Sequence, residues 1–370
     1  MRIRNPLLGE VGRFAMTVAA IGACTLMMVF LWATYQSVNA GAVDYIRRTR
    51  ADIWMLQANA TNIIRGSSIM TLEEGQAVLE TKAVASASPV LLLLSSVKLQ
   101  GRFYTLFLTG YRREAPTGGP PIIAAGRALA GDDEIVLDEV FARKHHLVLG
   151  QTLEIQGVPL QVVGLSRGTN AMVIQYAFVS LERAQGFIQL PGLISFVAIR
   201  IGPGETVPAV LQALRAAQPE MNFFSDAQFI ENNVLEMQTG FLAFLFIITL
   251  MGALVLAVIL ALLLSLDILE RRRDFVIMKA LGAPRSYLRG LVAAKALLLG
   301  GCGGGLGLAL FLPLRALVRV LAPELETQVY PAQMALVLAG VLVICLASAL
   351  VATRRIAGFY ALEAFRARGD

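Results

Sequence analysis

Four mostly apolar stretches, Phe14 to Thr34, Gly240 to Leu266, Tyr287 to Leu312 and Ala332 to Ala352, are long enough to cross a hydrocarbon core of about 30 Å, which takes roughly 20 helical residues. Between the first two the pattern changes to short segments of globular character. Thr71, with Glu74 three residues on, opens a capped helix. Val90 to Leu99 and Phe103 to Tyr111 flank Gln100-Gly101-Arg102 and predict a hairpin. Glu134 to Leu137 reads as a strand, after which Asp138 caps a helix reaching about His146. Thr152 to Gln156 and Pro159 to Leu165 fold back about Gly157. Tyr176 to Val179 and Ser195 to Ile201 read as strands, with Ser180 capping a short helix between them. Thr206 to Ala217 places Val207, Val210, Leu211 and Leu214 on one helical face. The Pro- and Gly-rich run Glu114 to Pro121 suggests an excursion or a boundary, in a domain expected to have two lobes. Asp226 to Thr239 carries no Pro or Gly and predicts a helix running rigidly into the second apolar stretch.

The layout is that of a membrane protein with four transmembrane α-helices, one plus three, and a large mixed α+β extracytoplasmic domain between helices 1 and 2. Its expected segments are a tail 1–13, helix 14–34, the outer domain 35–239, helix 240–266, a loop 267–286, helix 287–312, an outer loop 313–331, helix 332–352 and a tail 353–370. Composition agrees: of 370 residues, 56% are hydrophobic and 16% charged. That is too apolar for a soluble domain of this size. Trp32 to Tyr35 at the end of the first stretch marks an interfacial belt better than a cleavage site, which argues for a retained helix over a signal peptide. The cysteines Cys24, Cys302 and Cys345 all lie in expected spans, leaving the outer domain without a disulfide.

Arginine and lysine set the orientation. Arg2, Arg4 and Arg13, the cluster from Arg271 to Arg289, and Arg354, Arg355, Arg366 and Arg368 all fall on one side of a four-helix topology. The opposite loop, Pro323 to Pro331, is acidic, although Arg315 and Arg319 soften the contrast. Both tails and the 267–286 loop are thus expected in the cytoplasm, and the outer domain in the periplasm of a multi-pass inner-membrane protein. The net charge of +6 follows from this topology and does not point to nucleic acid.

Few residues suggest chemistry. His145-His146 are the only histidines; neighbours in a helix point about 100° apart, so they do not make a metal site. The run Leu299 to Gly307 is rich in glycine but lacks the Lys-Ser/Thr of a phosphate loop, and no Walker A motif occurs elsewhere. Spacings of four in Gly300 with Gly304, Gly301 with Gly305 and Gly303 with Gly307 instead predict close helix packing, within the chain or across a dimer. No ionisable residue sits at the centre of any span, which disfavours a proton relay. Nothing points to an enzyme, and no catalytic residue, metal or cofactor is expected in this chain.

The most basic stretch also holds apolar residues. Phe275, Val276, Met278, Ala280 and Leu281 give a short helix with an apolar side, closed by Gly282 where a C′ glycine belongs. Such a helix would lie along the membrane surface as a plug for another protein, or else as an interfacial anchor. Glu270-Arg-Arg-Arg-Asp-Phe-Val-Ile-Met-Lys-Ala-Leu-Gly-Ala283 resembles the signature of the FtsX/MacB-type ABC transporter permeases, E-R-x-x-E-I-x-x-x-[KR]-[AT]-L-G-A after the second membrane helix. The tail Arg354 to Arg366 is similar to that family's closing P-x-x-A-L-R segment, with the spacing broken to Ala-Leu-Glu-Ala-Phe-Arg. Glu139 to Lys144, Leu149 to Leu153 and Val162 to Gly164 resemble its outer domain. Arg50 to Trp54 resembles the DevC branch, which works with a membrane-fusion adaptor and an outer-membrane channel.

The resemblance implies a mechanotransmission permease that forms a homodimer in the lipid membrane and docks two ABC ATPase subunits, which bind the ATP and Mg. The residues it implies for docking are Glu270, Arg271, Arg273, Asp274, Phe275, Met278, Lys279, Leu281 and Gly282, with Gly300, Gly301, Gly304 and Gly305 in helix packing. Two function classes stay open: an exporter subunit, with lipoprotein extraction as a variant, and an FtsX-like mechanical regulator of a cell-wall hydrolase.

Overall fold

The computed structural model describes residues 6–63, 68–171, 174–270, 277–278, 281, 283–325 and 329–359. They belong to two compact units, one of Met1–Gln36, Phe244–Val318 and Thr327–Asp370, the other of Ser37–Ala243 with Arg319–Glu326.

Helix α1 (Pro6–Thr49) gives its last turns to the second unit. There it is followed by β1 (Ile53–Gln57), β2 (Met70–Thr71), α2 (Leu72–Ala77), β3 (Val84–Leu99), β4 (Arg102–Tyr111), β5 (Ile123–Gly126), β6 (Glu134–Asp138) and α3 (Glu139–Lys144). Next come β7 (Thr152–Ile155), β8 (Val158–Ser166), β9 (Gln175–Ser180), α4 (Leu181–Ile188), β10 (Leu193–Ile194), β11 (Phe196–Ile201), α5 (Val207–Ala217), β12 (Met221–Ser225) and α6 (Asp226–Met237). Ten strands form one mixed sheet in the order β12-β1-β11-β3-β4-β9-β6-β8-β5, with β7 joining β3 and β8. The circuit β3-β4-β9-β6-β8-β7 closes on itself through the pairing of Val97 with Ile155.

Each face of this sheet carries its own core. Along β1, Ile53 and Met55 enter one and Trp54 and Leu56 the other, the period of two that a strand imposes. On the first face Leu181 and Ala184 of α4 and Val210 and Leu214 of α5 complete the core. On the second, Val43, Tyr45 and Ile46 of α1 and Phe229 of α6 do so. Trp54 is fully buried, stacks on Phe229 with ring centres 4.9 Å apart, and donates its indole N–H to Asp226 Oδ1 at 3.0 Å. Full burial of one such side chain contributes roughly 1.5–3 kcal/mol.

Local chemistry sets the connections. Gln100-Gly101 and Gln156-Gly157 have φ of 50° and 80°, and 49° and 82°, so both hairpins turn through two left-handed residues, the geometry that matches strand twist. Thr71 and Glu74 form the expected capping box, and the Ser180 hydroxyl accepts from Arg183 N–H. Helix α3 ends at Lys144, short of the expected His146, which adopts φ 55°. The run from Glu114 to Pro121 is a connection inside one continuous sheet, since β5 beyond it pairs with β8, so the two-lobed expectation is corrected to a single unit. The expected rigid helix into the second span is also corrected. Gly240, at φ −98° and ψ −111°, breaks it within a wide turn over Gln238–Leu242.

Asp138 is 1% exposed and caps α3, accepting from Val140 N–H, Phe141 N–H and the Thr169 hydroxyl at 2.8, 3.1 and 2.7 Å. Burial pushes its carboxyl up from 3.8 to about 6, although Thr169, Phe141 and Val140 pull the other way. A raised acid holds its proton in the folded state where the unfolded chain has lost it. Its stabilisation is therefore complete below about pH 4 and lost as pH rises through about 6, with a span of roughly 3 kcal/mol. In a pH series of thermal unfolding, Asp138→Asn, which keeps a good cap, should gain on the wild type between pH 4 and pH 7. A difference between the two that stays constant with pH would contradict the buried, protonated carboxyl.

The other unit holds the first part of α1 with α7 (Ala243–Glu270), α8 (Arg285–Leu321) and α9 (Pro331–Phe359). All four helices are long and apolar enough to cross a membrane, over Phe14–Thr49, Ala243–Glu270, Ser286–Leu321 and Pro331–Thr353. Their common core includes Ile21, Leu256, Leu260, Leu264, Val292, Ala296, Val341 and Cys345. Ser348 of α9 donates to the Ala257 carbonyl of α7 at 3.1 Å. Pro313 removes one backbone donor from inside α8.

Candidate functional site

Helix α7 ends with Glu270 exposed, and α8 opens after Pro284, whose carbonyl accepts from Tyr287 and Leu288 N–H at 3.0 and 3.4 Å. Of the residues between them named for docking, Arg271, Arg273, Asp274, Phe275, Lys279 and Gly282 lie outside the described residues. Ile277 and Met278 are helical, and Leu281, in the turn that follows, donates its N–H to the Ile277 carbonyl at 3.0 Å. Ala283 N–H donates to the Met278 carbonyl, five residues back, the bond that closes a helix C-terminus.

The apolar residues of this turn face two ways. Met278 is half-buried and packs on the helix core that contains Leu264 and Ile268. Ile277 is 58% exposed and Leu281 83% exposed. Residues four apart on a helix lie on one side, so Ile277 and Leu281 make a single outward ridge. Of the expected docking residues, Leu281 is therefore available to a partner, whereas Met278 already serves the chain's own core.

The glycines of α8 separate in the same manner. A Cβ on Gly300 would stand 2.7 Å from Cys345 Sγ, and one on Gly304 2.5 Å from Leu338 Cδ1, both on α9. Gly303 and Gly307 meet α1: a Cβ would lie 2.6 Å from Ile21 Cβ in the first case and 2.6 Å from the Gly22 carbonyl oxygen in the second. Gly301 and Gly305 have nothing within 4 Å. The run serves two neighbouring helices: each pair spaced four apart shares a side, and the adjacent Gly303 and Gly304 point about 100° apart.

His145 sits tilted in a ring cluster, 4.5 Å from Phe141 and 4.1 Å from Tyr104 between ring centres. Among the described residues no group of three or more His, Cys, Asp or Glu could hold a metal ion.

One feature of the second unit escaped the sequence reading. A cleft of about 650 Å³ opens at the C-terminal end of α1, where Arg47, Arg48, Arg50, Arg113 and Arg200 converge. Three stretches of sequence far apart supply them: Arg47 to Arg50, Arg113 after β4 and Arg200 on β11. The string Ile46-Arg-Arg-Thr-Arg50 is visible in the chain, but its meeting with Arg113 and Arg200 depends on the sheet order.

Comparison with known proteins matches residues 14–217 to the MacB-like periplasmic core domain and residues 246–361 to the FtsX-like permease C-terminal region. The ABC transporter permease Rv2563 of Mycobacterium tuberculosis is 24% identical over 311 residues, 82% of this chain and 83% of that one. Rv0987 of the same species, also an ABC transporter permease, is 27% identical over 195 residues, 50% of this chain but 22% of that protein. The periplasmic region of MacB from Actinobacillus actinomycetemcomitans aligns with TM-score 0.39 and 13% identity over 51% of this chain and 96% of that one. The extracellular domain of YknZ, an ABC-type transporter from Gram-positive bacteria, aligns with TM-score 0.36 and 11% identity over 47% and 99%. With the core-domain model covering more than half of its length and the permease model following in order, the chain belongs to the FtsX/MacB family of ABC transporter permeases.

Proposed function

We propose that this chain is the force-transmitting membrane subunit of an ABC-type exporter. Two copies pair in the inner membrane, each docks a separate ATPase through the 270–283 segment, and helix movement driven by ATP works the periplasmic domain. A membrane-fusion adaptor and an outer-membrane channel complete the export path. ATP and Mg are held by the ATPase, in keeping with the lack of a Walker A motif in this sequence.

The observation that carries this reading is the outward ridge of Ile277 and Leu281 beside the most basic stretch of the chain. An anchor helix would turn such residues toward lipid, whereas a plug presents them to a socket. Membership of an ABC permease family supports the plug, because the energy source has to be a partner. The test is affinity purification of the tagged full chain from its own cells, followed by ATP turnover of the isolated complex. An ATPase and an adaptor copurifying, with turnover responsive to the adaptor, is the expected result. A cell-wall hydrolase in place of the adaptor would replace export by mechanical regulation.

A further inference from the structure

We propose that the second unit binds a small amphiphile with a phosphate head and an apolar body, in the cleft at the end of α1. The inference stands apart from how the ATPase docks.

The cleft collects positive charge beyond what its surroundings neutralise. Arg48 pairs with Asp44 at 3.3 Å and Arg113 with Asp132 at 3.3 Å. Arg47 interacts electrostatically with Asp226. Arg50 and Arg200 make no ion pair among the described residues, and no acidic side chain lines the cleft. Cations in the last turn of a helix complement its dipole. That accounts for Arg47 and Arg48, but not for Arg113 after β4 or Arg200 on β11. Guanidinium forks arriving from several directions suit a phosphate, which takes paired charge-assisted hydrogen bonds on each oxygen edge.

The rest of the lining is largely apolar and already in place. Tyr111, Pro116, Pro120, Pro121, Ile122 and Ile123 belong to it. The connection that carries the prolines is pinned where Tyr45 donates to the Gly118 carbonyl at 2.7 Å and Thr117 donates to Ser88 at 2.7 Å. Inorganic phosphate would use only the arginines. A phosphate bearing an alkyl or aromatic group would use the arginines and the apolar lining together, and a connection already pinned by hydrogen bonds lowers the cost of ordering it.

The experiment is titration calorimetry of the full chain in a maltoside detergent, with hexyl phosphate, inorganic phosphate and hexanol as probes. Hexyl phosphate should bind at least about tenfold more tightly than inorganic phosphate, and hexanol should not bind measurably. Losing two charged donors in Arg50→Gln with Arg200→Gln should weaken hexyl phosphate at least about tenfold. Glutamine already holds positive φ at Gln100, Gln156 and Gln189 in this chain, so it can replace Arg50 at φ 55° without a new backbone conformation. Ile122, 38% exposed, offers a second variant in the apolar lining: Ile122→Asp should weaken hexyl phosphate by a similar factor. Equal affinity for inorganic and hexyl phosphate would overturn the amphiphile assignment. Hexyl phosphate binding that is absent, or indifferent to both variants, would overturn the site.

Discussion

Replacing Gly307 by leucine is expected to prevent assembly of the helix bundle, the largest effect on stability of any single change considered. A Cβ there would lie 2.6 Å from the Gly22 carbonyl oxygen, 2.7 Å from Thr25 Cβ and 3.0 Å from Leu26 N. Two of those atoms are backbone and have no rotamer to move to, so α1 and α8 must separate. Overpacking a well-filled interior by a methylene or two already costs roughly 1–3 kcal/mol, and here a whole isobutyl group replaces a backbone contact. In a bilayer, where lipid competes equally for apolar surface, close packing is the main source of association. Gly304→Leu should be milder, because its nearest neighbour is the end of a flexible side chain, Leu338 Cδ1. Gly305→Ala should be neutral, with nothing within 4 Å. Yield of monodisperse protein and its melting temperature in detergent decide the order. Gly307→Leu melting like the wild type would mean that this contact does not hold the helices.

Leu281→Asp is expected to produce the largest effect on coupling. At 83% exposure the leucine makes little contact with its own chain, so the change leaves insertion and folding intact. In a docked contact it would bury a charge, for which the effective penalty is several kcal/mol. That is roughly a hundredfold or more in affinity for the ATPase. Met278→Asp is less informative, since its half-buried side chain packs on the helix core and the variant would also weaken the permease itself. Arg272→Ala should change little, because one exposed ion pair is worth about 1 kcal/mol or less. ATPase pull-down and turnover with each variant test the ranking. Unchanged capture by Leu281→Asp would leave the ridge without a partner.

What the sequence made legible, and what it hid, have physical causes. The four long helices stand out because continuous apolar runs need no partner to be recognised. The hairpins at Gly101 and Gly157 and the caps at Thr71, Asp138 and Ser180 are local chemistry, set by residues within a few positions of one another. Strand β1 is not legible in the sequence because Ile53 to Leu56 is buried on both faces and lacks alternation, which short apolar runs share with helices. Gly240 reads as part of an apolar span, yet only its backbone geometry reveals the break. The glycine spacings were plain, but which pair meets α1, which meets α9 and which meets nothing depends on helix order. The same holds for Met278 and Leu281, which look equivalent in the sequence but differ in burial, Met278 packing on the helix core and Leu281 standing exposed. The arginine cleft is the extreme case, because residues from 47 to 200 meet only through the sheet.

The most direct test of the central claim is photo-crosslinking from position 281 in intact cells, with a photoreactive amino acid replacing Leu281 in the full chain. The account predicts a crosslinked product that contains the ATPase and is lost when the partner is depleted. Crosslinks to lipid alone, with the ATPase present and active, would contradict it.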